Sequence, residues 1–472
     1  MVHTTVHSLT QSVPVDEKAS LLKVYPATHL NGLVHVPPSK PETQRAVFIS
    51  AISEGVTRVF NDLRCSETET MKEAFRAVGC QFVEHPDHLE VHGIGGNFTP
   101  FSKVIDAKGS GLVFRCFSAL ASVINYPVII TGDSTLRARV MEPLFNALRQ
   151  LGASLECVAE PGKAPIVNWS NQLPGGSCTL PGNVSSQFIT ALLLTAPLAE
   201  NPVEIEVKGE VYSKSYIDQT VAAMQYAGVA VETSQDYDYF KVAPAQYRPQ
   251  DFHITADYTS ASYLLARSVL FKGVTVLKNI QEESLQGERF IIDILRVLGA
   301  DVFFKKDKNE VVIHNHNDRL EGNYEFNVIN CPNIVPTLVA LGAFVTGTFR
   351  VVGASITRLH KAPRVEAMTC ELRKLGVDIE PIYNDGVCDG FEIHGRETYE
   401  GGVEFSSWGD HRIFMSLFIV SLKTKKPNYL DGFSDVICSF PEFLSEFRKD
   451  GVHFEVVYRN TKNSILATQS IG

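Results

Sequence analysis

Six stretches of this chain are apolar on nearly every side, AVFISAI, SYLLARSVL and LVALGAFV among them, and each follows a short polar segment. A helix without a polar face is buried in the middle of its domain rather than laid on a surface. The segments before them are PPSKPETQR (37–45), KGSGLVFR (108–115), NVSSQF (183–188), DYTSASY (257–263), CPNIVPT (331–337) and WGDHRIF (408–414). A second set of six helices closes on glycine at RAVGCQF, RQLGASL, QYAGVAV, RVLGADV, RKLGVDI and RKDGVHF, placing Gly79, Gly152, Gly228, Gly299, Gly376 and Gly451 about 75 residues apart. A glycine just past a helix suits the left-handed cap, and the alternating apolar and polar residues after it predict a strand. The pattern therefore predicts six repeats of a βαβ type, three in each half. The period is too long for a solenoid.

Ser185, at the start of LPGNVSSQFITALLLTAPLAE, is a helix cap by residue type, since its hydroxyl can satisfy an orphan backbone N–H. A helix start is also a ready anion site. Capping accounts for the Ser, Gly and Asp residues of the six starts. It accounts poorly for Lys40, Arg115 and Arg412, because cations are disfavoured near a helix N-terminus, and a bound anion explains them better.

Composition narrows the partners. A chain of 472 residues exceeds one ordinary core and predicts two domains. Hydrophobic content of 44% with a mean hydropathy of zero describes a soluble globular protein. The net charge of −10 argues against nucleic acid or an anionic membrane as the main partner, while leaving room for a local basic pocket. Nine scattered cysteines without a C-x-x-C pair suggest neither a zinc knuckle nor a disulfide framework, so a reducing cytoplasm is expected. Residues 1–20 lack the apolar core of a signal peptide and read as a disordered polar extension. No apolar run reaches the roughly 18 residues of a membrane span. No metal is expected, for want of a His/Asp/Glu cluster with ligand spacing, and no cofactor.

Taken in order, PSK-x4-R, the glycine segment ending at Arg115, SSQF-x-TALL, SKSYID and GDHR resemble the enolpyruvyl transferases over roughly Val24–Phe454. The loop TGDSTLRARVMEP lacks the cysteine of the branch acting on UDP-N-acetylglucosamine, so the 5-enolpyruvylshikimate-3-phosphate synthases are the nearer likeness. The resemblance implies a two-domain inside-out α/β barrel of six βαβαββ units with the active site between the domains. Domain I is expected over 21–38 plus 251–472 and domain II over 39–250, with hinges near Pro38 and Asp251. It also implies two small anionic substrates, phosphoenolpyruvate and an acid like shikimate 3-phosphate, handled by a monomer.

Carried over residue by residue, Lys40 and Arg139 match phosphate ligands of phosphoenolpyruvate, with Gln187 beside them and Arg115 a further basic group of the pocket. Arg364 and Arg412 match the pair for its carboxylate, for which arginine forks are suited. Ser185, Ser186 and Ser213 match the clamp on the acceptor phosphate, and Arg45 and Tyr216 the ring contacts.

The likeness fails at the proton-handling groups. The family's Asp of the fifth repeat is Asn333, which cannot accept a proton at neutral pH. The Glu of its K-E-x-x-R motif is Lys361, preceded by His360 in place of lysine. A phosphate-binding lysine near the C-terminus is Cys438, and Pro41, Gly109 and Leu112 also depart from the pattern. Losing one positioned acid or base costs about 100- to 10,000-fold in rate. His360 is the foremost replacement, with Lys361, Asp410, Glu366 and His411 behind it. Three functions fit: a divergent carboxyvinyl transferase of specialised metabolism, an elimination or dehydration enzyme on a shikimate-like acid, and an inactive anion-binding homologue.

Overall fold

A computed structural model describes residues 20–458 apart from 29, 31, 170 and 171. Residues 1–19 of the expected polar extension lie outside the described residues. Ser20, counted with that extension, instead opens the strand Ser20–Val24.

The described residues fall into two compact units. One comprises residues 20–37, 256–284 and 288–458, and the other residues 38–255 with 285–287. Each contains three four-stranded sheets of one design. In the sheet around Arg139, Val104–Asp106 runs parallel to Val128–Thr131, which is antiparallel to Ile166–Asn168, itself antiparallel to Leu155–Cys157. The parallel pair brackets the helix Gly111–Leu120, as a βαβ crossover requires. The other five sheets repeat this parallel, antiparallel, antiparallel order.

Two sheets are completed from a distance. Leu33–His35 precedes the helix Lys40–Ile52 in the chain but pairs with Gly273–Lys278, whereas Phe252–His253 pairs with Glu54–Phe60. The chain thus passes between units at Pro37/Pro38 and Thr255/Ala256. Pro38 and residues 251–255, expected in domain I, belong with the other unit, because Phe252–His253 finishes its first sheet and the Thr255 carbonyl accepts from Ser39 N.

The apolar stretches form the interior. Every residue of Tyr258–Leu270, Val335–Gly342 and His411–Leu422 is buried. Lys40–Ile52, Gly111–Leu120 and Ser186–Thr195 are nearly so. With helices inside and sheets outside, this is the inside-out α/β architecture. Five of the six inner helices carry a side-chain cap, from Ser39, Ser110, Ser185, Asp257 and Asp410. Val335–Gly342 is entered through the turn Pro332–Ile334, and Pro332 in the turn with Pro336 in the helix leaves fewer N–H groups to cap. All six glycines after the outer helices have positive φ, from 77° at Gly376 to 109° at Gly79, as the left-handed cap demands.

Candidate active site

In the unit of residues 38–255, basic groups gather at helix starts. Arg115 is the fifth residue of Gly111–Leu120 and is 8% exposed. Its Nη1 donates to Gln187 Oε1, at the start of Ser186–Thr195, and its guanidinium lies 5.3 Å over the Phe188 ring. Its Nε is buried without a hydrogen-bond partner among the described residues. A methyl group built on Gly111 would meet Arg115 Nη1 at 2.6 Å and Arg139 Nη1 at 3.1 Å, so both guanidinium groups crowd one bare backbone position. Burial, and then the Arg139 charge, press the pKa of Arg115 downward. Guanidinium groups nonetheless stay charged in proteins, so the pressure measures unfavourable electrostatics that an anion would relieve.

Lys40 is buried and pairs with Glu67 Oε2 at 2.9 Å, so its charge is already partly balanced. Arg45 is also buried and is held by protein oxygens. Its Nε donates to Thr220 Oγ1 at 2.9 Å, Nη1 to the Pro41 carbonyl at 2.9 Å, and Nη2 to the Tyr216 carbonyl at 2.8 Å and Thr190 Oγ1 at 3.4 Å. Arg45 thereby ties three helices together, and it meets Tyr216 through the backbone. Ser185 caps its helix by accepting from Gln187 N at 3.3 Å, and Ser186 is the buried first residue. Ser213 precedes Lys214–Tyr226 in the left-handed region, at φ 59°. That backbone is costly for a residue with a Cβ and recurs at functional sites.

In the other unit the cluster centres on Arg364, buried at the start of Arg364–Arg373. Its Nε donates to Asp410 Oδ2 at 2.8 Å and its Nη1 to Asn333 Oδ1 at 2.9 Å. Asp410 Oδ1 accepts from Arg412 N at 2.9 Å, capping the helix that carries His411 and Arg412, both buried. Burial alone would raise the Asp410 pKa. The Arg364 charge, His411 and these hydrogen bonds more than offset it and hold the carboxyl well below its ordinary range. Asp410, expected among the proton-handling candidates, is thus a buried carboxylate engaged by Arg364 and by the start of its own helix. His411 Nδ1 lies 3.8 Å from Asp410 Oδ1. Lys361 Nζ lies 3.8 Å from Cys438 Sγ, and His360 ends the turn Ser355–Leu359 just before it.

Three contacts were invisible in the motifs. Glu67 balances Lys40, Thr190 and Thr220 surround Arg45, and Tyr263 interacts with Arg412. Burial pushes the Tyr263 phenol up to about 12, with Arg412 and Arg364 opposing. Two of these residues had a signal: Tyr263, in one of the six helix starts, and Thr190, in SSQF-x-TALL.

The expectation that no His/Asp/Glu cluster has ligand spacing is corrected. His85, His88 and Glu90 bring one ligand atom each to within 4.8 Å of one another. The turn at Pro86 and Asp87 folds the chain back on itself there, which linear spacing does not display.

The family model for EPSP synthase (3-phosphoshikimate 1-carboxyvinyltransferase) matches residues 24–447. The chain belongs to the EPSP synthase family. Among relatives of this EPSP synthase family member, the 3-phosphoshikimate 1-carboxyvinyltransferase of Methanothermobacter thermautotrophicus is 36% identical over 402 residues, 85% of this chain and 92% of that protein. Its counterpart from Methanocaldococcus jannaschii is 33% identical over 443 residues, 92% of this chain and 99% of that protein. The solved EPSP synthase of Acinetobacter baumannii superposes with a TM-score of 0.76 at 24% identity, covering 93% of this chain and 99% of that one. The enolpyruvyl transferase NikO of Streptomyces tendae gives 0.73 at 15% identity, with 93% and 99% covered. These likenesses establish the enolpyruvyl transferase fold. No helix among the described residues is long and apolar enough to cross a membrane.

Proposed function

We propose that this EPSP synthase family member transfers the enolpyruvyl group of phosphoenolpyruvate to a hydroxyl of a strongly anionic, shikimate 3-phosphate-like acid, with its proton handling rearranged. The observation that carries the reading is the crowding of Arg115 and Arg139 over Gly111 at a helix start. Two like charges and a positive helix end stay together at least cost when a dianion sits among them. In this reading Lys40, Arg139 and Gln187 receive the phosphate of phosphoenolpyruvate, and Arg364 and Arg412 its carboxylate. Ser185, Ser186 and Ser213 receive the acceptor phosphate, and Tyr216 packs beside the ring. Arg45 orients the helices that present them.

The reaction must move protons in both of its steps. The acceptor hydroxyl loses one as its oxygen bonds to the central carbon of phosphoenolpyruvate, and the methylene carbon gains one. The tetrahedral adduct then gives up a methyl proton and phosphate together. In this reading His360 and His411 supply the imidazoles for these steps, and Lys361 a cation for the leaving phosphate.

Asn333 supports a second reading. Its amide carbonyl accepts from Arg364 and offers no proton-accepting carboxylate, which favours elimination on a ring acid or binding without turnover. Calorimetry with phosphoenolpyruvate and shikimate 3-phosphate, alone and together, combined with a phosphate-release assay, divides the cases. Synergistic binding with phosphate release supports transfer. Turnover of the ring acid without phosphoenolpyruvate, or binding with no product, overturns it.

A further inference from the structure

The first sheet carries a cluster that none of the roles above uses. Strands Gln81–Glu84 and His88–Ile94 form a hairpin whose turn is His85-Pro86-Asp87-His88, closed by His85 N donating to the His88 carbonyl at 2.9 Å. Alternation along the second strand sets Glu90 on the face of His88. The two imidazole rings lie 4.4 Å apart, and the ligand atoms of His85, His88 and Glu90 all fall within 4.8 Å of one another.

The surrounding groups already orient this set. His88 Nδ1 lies 2.9 Å from Asp87 Oδ1. An ionised carboxylate only accepts, so Nδ1 carries the proton and Nε2 keeps its lone pair for a ligand. His92 Nε2 lies 2.9 Å from Glu90 Oε1, steadying that carboxylate in the same way. Such outer contacts fix the tautomer and aim of metal-binding side chains. The Nε2 of His85 is buried and has no hydrogen-bond partner among the described residues. Arg64 donates to the carbonyls of His85 and His88, bracing the turn from the backbone side. Its positive charge weighs against any cation held by charge alone.

We propose that His85, His88 and Glu90 form a binding site for a zinc-class divalent transition metal. Two imidazoles and one carboxylate suit Zn²⁺, Ni²⁺ or Cu²⁺, whereas Mg²⁺ and Ca²⁺ want oxygen ligands throughout. Three protein ligands leave a position for water. The metal would join the end of one strand to the start of the next and hold the hairpin closed.

The test titrates the metal-stripped full-length chain with zinc chloride, following heat of binding and melting temperature. One equivalent binds and raises the melting temperature, as expected for a ligand of the folded state. His85→Ala and His88→Ala lose both effects, and Asp87→Asn weakens binding about 10- to 100-fold. All nine cysteines remain in every variant, so zinc held by thiols survives the substitutions and is told apart. Melting in EDTA reports whether each variant folds. Absence of stoichiometric binding, or equal binding by wild type and folded His88→Ala, overturns the proposal.

Discussion

The ammonium of Lys361 lies 3.8 Å from the thiol sulfur of Cys438, although 77 residues separate them in the chain. By resemblance to the family, the first position carries glutamate and the second lysine. On the function proposed above, the cation would be kept and moved across this single pair, the small thiol leaving room for the lysine. Lys361→Glu should therefore weaken phosphoenolpyruvate binding at least tenfold, about 1.4 kcal/mol. Adding Cys438→Lys to that variant should restore most of it, whereas Cys438→Lys alone should leave two crowded cations and a less stable protein. Calorimetry on the four members of this double-mutant cycle gives the coupling directly. Additive effects would mean that the two positions do not share a ligand.

Arg364 stands between Asp410 and Asn333, one acid and one amide, so of these two partners only Asp410 carries a counter-charge. Asn333→Asp would give it a second carboxylate of nearly the same shape. The variant should hold a carboxylate ligand less tightly and gain a group able to accept a proton. Initial rates of phosphate release should rise, toward the roughly 100- to 10,000-fold that one positioned base supplies, while KM for phosphoenolpyruvate increases. A fall in both kcat and affinity would mark the present amide as part of the working set.

What could be read in advance divides by distance along the chain. The left-handed glycines and the six buried helices are local demands, visible in a dozen residues, and all six caps at Gly79 through Gly451 are present. The chain crossing was harder to place, because Phe252–His253 is a two-residue strand with no periodicity and pairs nearly two hundred residues away, with Val59 and Phe60. Basic residues at helix starts could be named from composition alone. Their partners could not. Glu67 against Lys40, Asp410 against Arg364 and the His85 hairpin are consequences of folding, and they decide which named groups have charge left for a ligand.

Gly111 is a case where space matters more than backbone freedom. An alanine methyl there would fall 2.6 Å from Arg115 Nη1 and 3.1 Å from Arg139 Nη1, and both are ends of long side chains that can swing away. The fold should tolerate Gly111→Ala, since alanine is about 1 kcal/mol better than glycine within a helix. The anion site should not. Affinity for phosphoenolpyruvate should fall tenfold or more with an unchanged or higher melting temperature. Unchanged affinity would show that the two guanidinium groups do not converge on a ligand at that helix start.

Asp410 gives a pH prediction with a definite sign. Its side chain is fully buried, Oδ2 accepts from Arg364 Nε at 2.8 Å, and its pKa is held well below the ordinary carboxyl value despite burial acting the other way. A carboxyl with a lower pKa folded than unfolded contributes stability above its unfolded value, near about pH 4, and loses it as pH falls toward the folded one. Below about pH 4 the unfolded chain takes up a proton that the native carboxylate refuses, so stability drops as acid is added. Asp410→Asn can still cap the helix. It nevertheless leaves a buried guanidinium without its counter-charge, which costs about 3–5 kcal/mol at neutral pH. Denaturant unfolding of wild type and variant at pH 7 and pH 3 should show a large stability gap at neutral pH that narrows in acid. Parallel curves, with the same gap at both values, would mean that the Arg364–Asp410 pair carries no linked proton and that the loss in Asp410→Asn is one of packing alone.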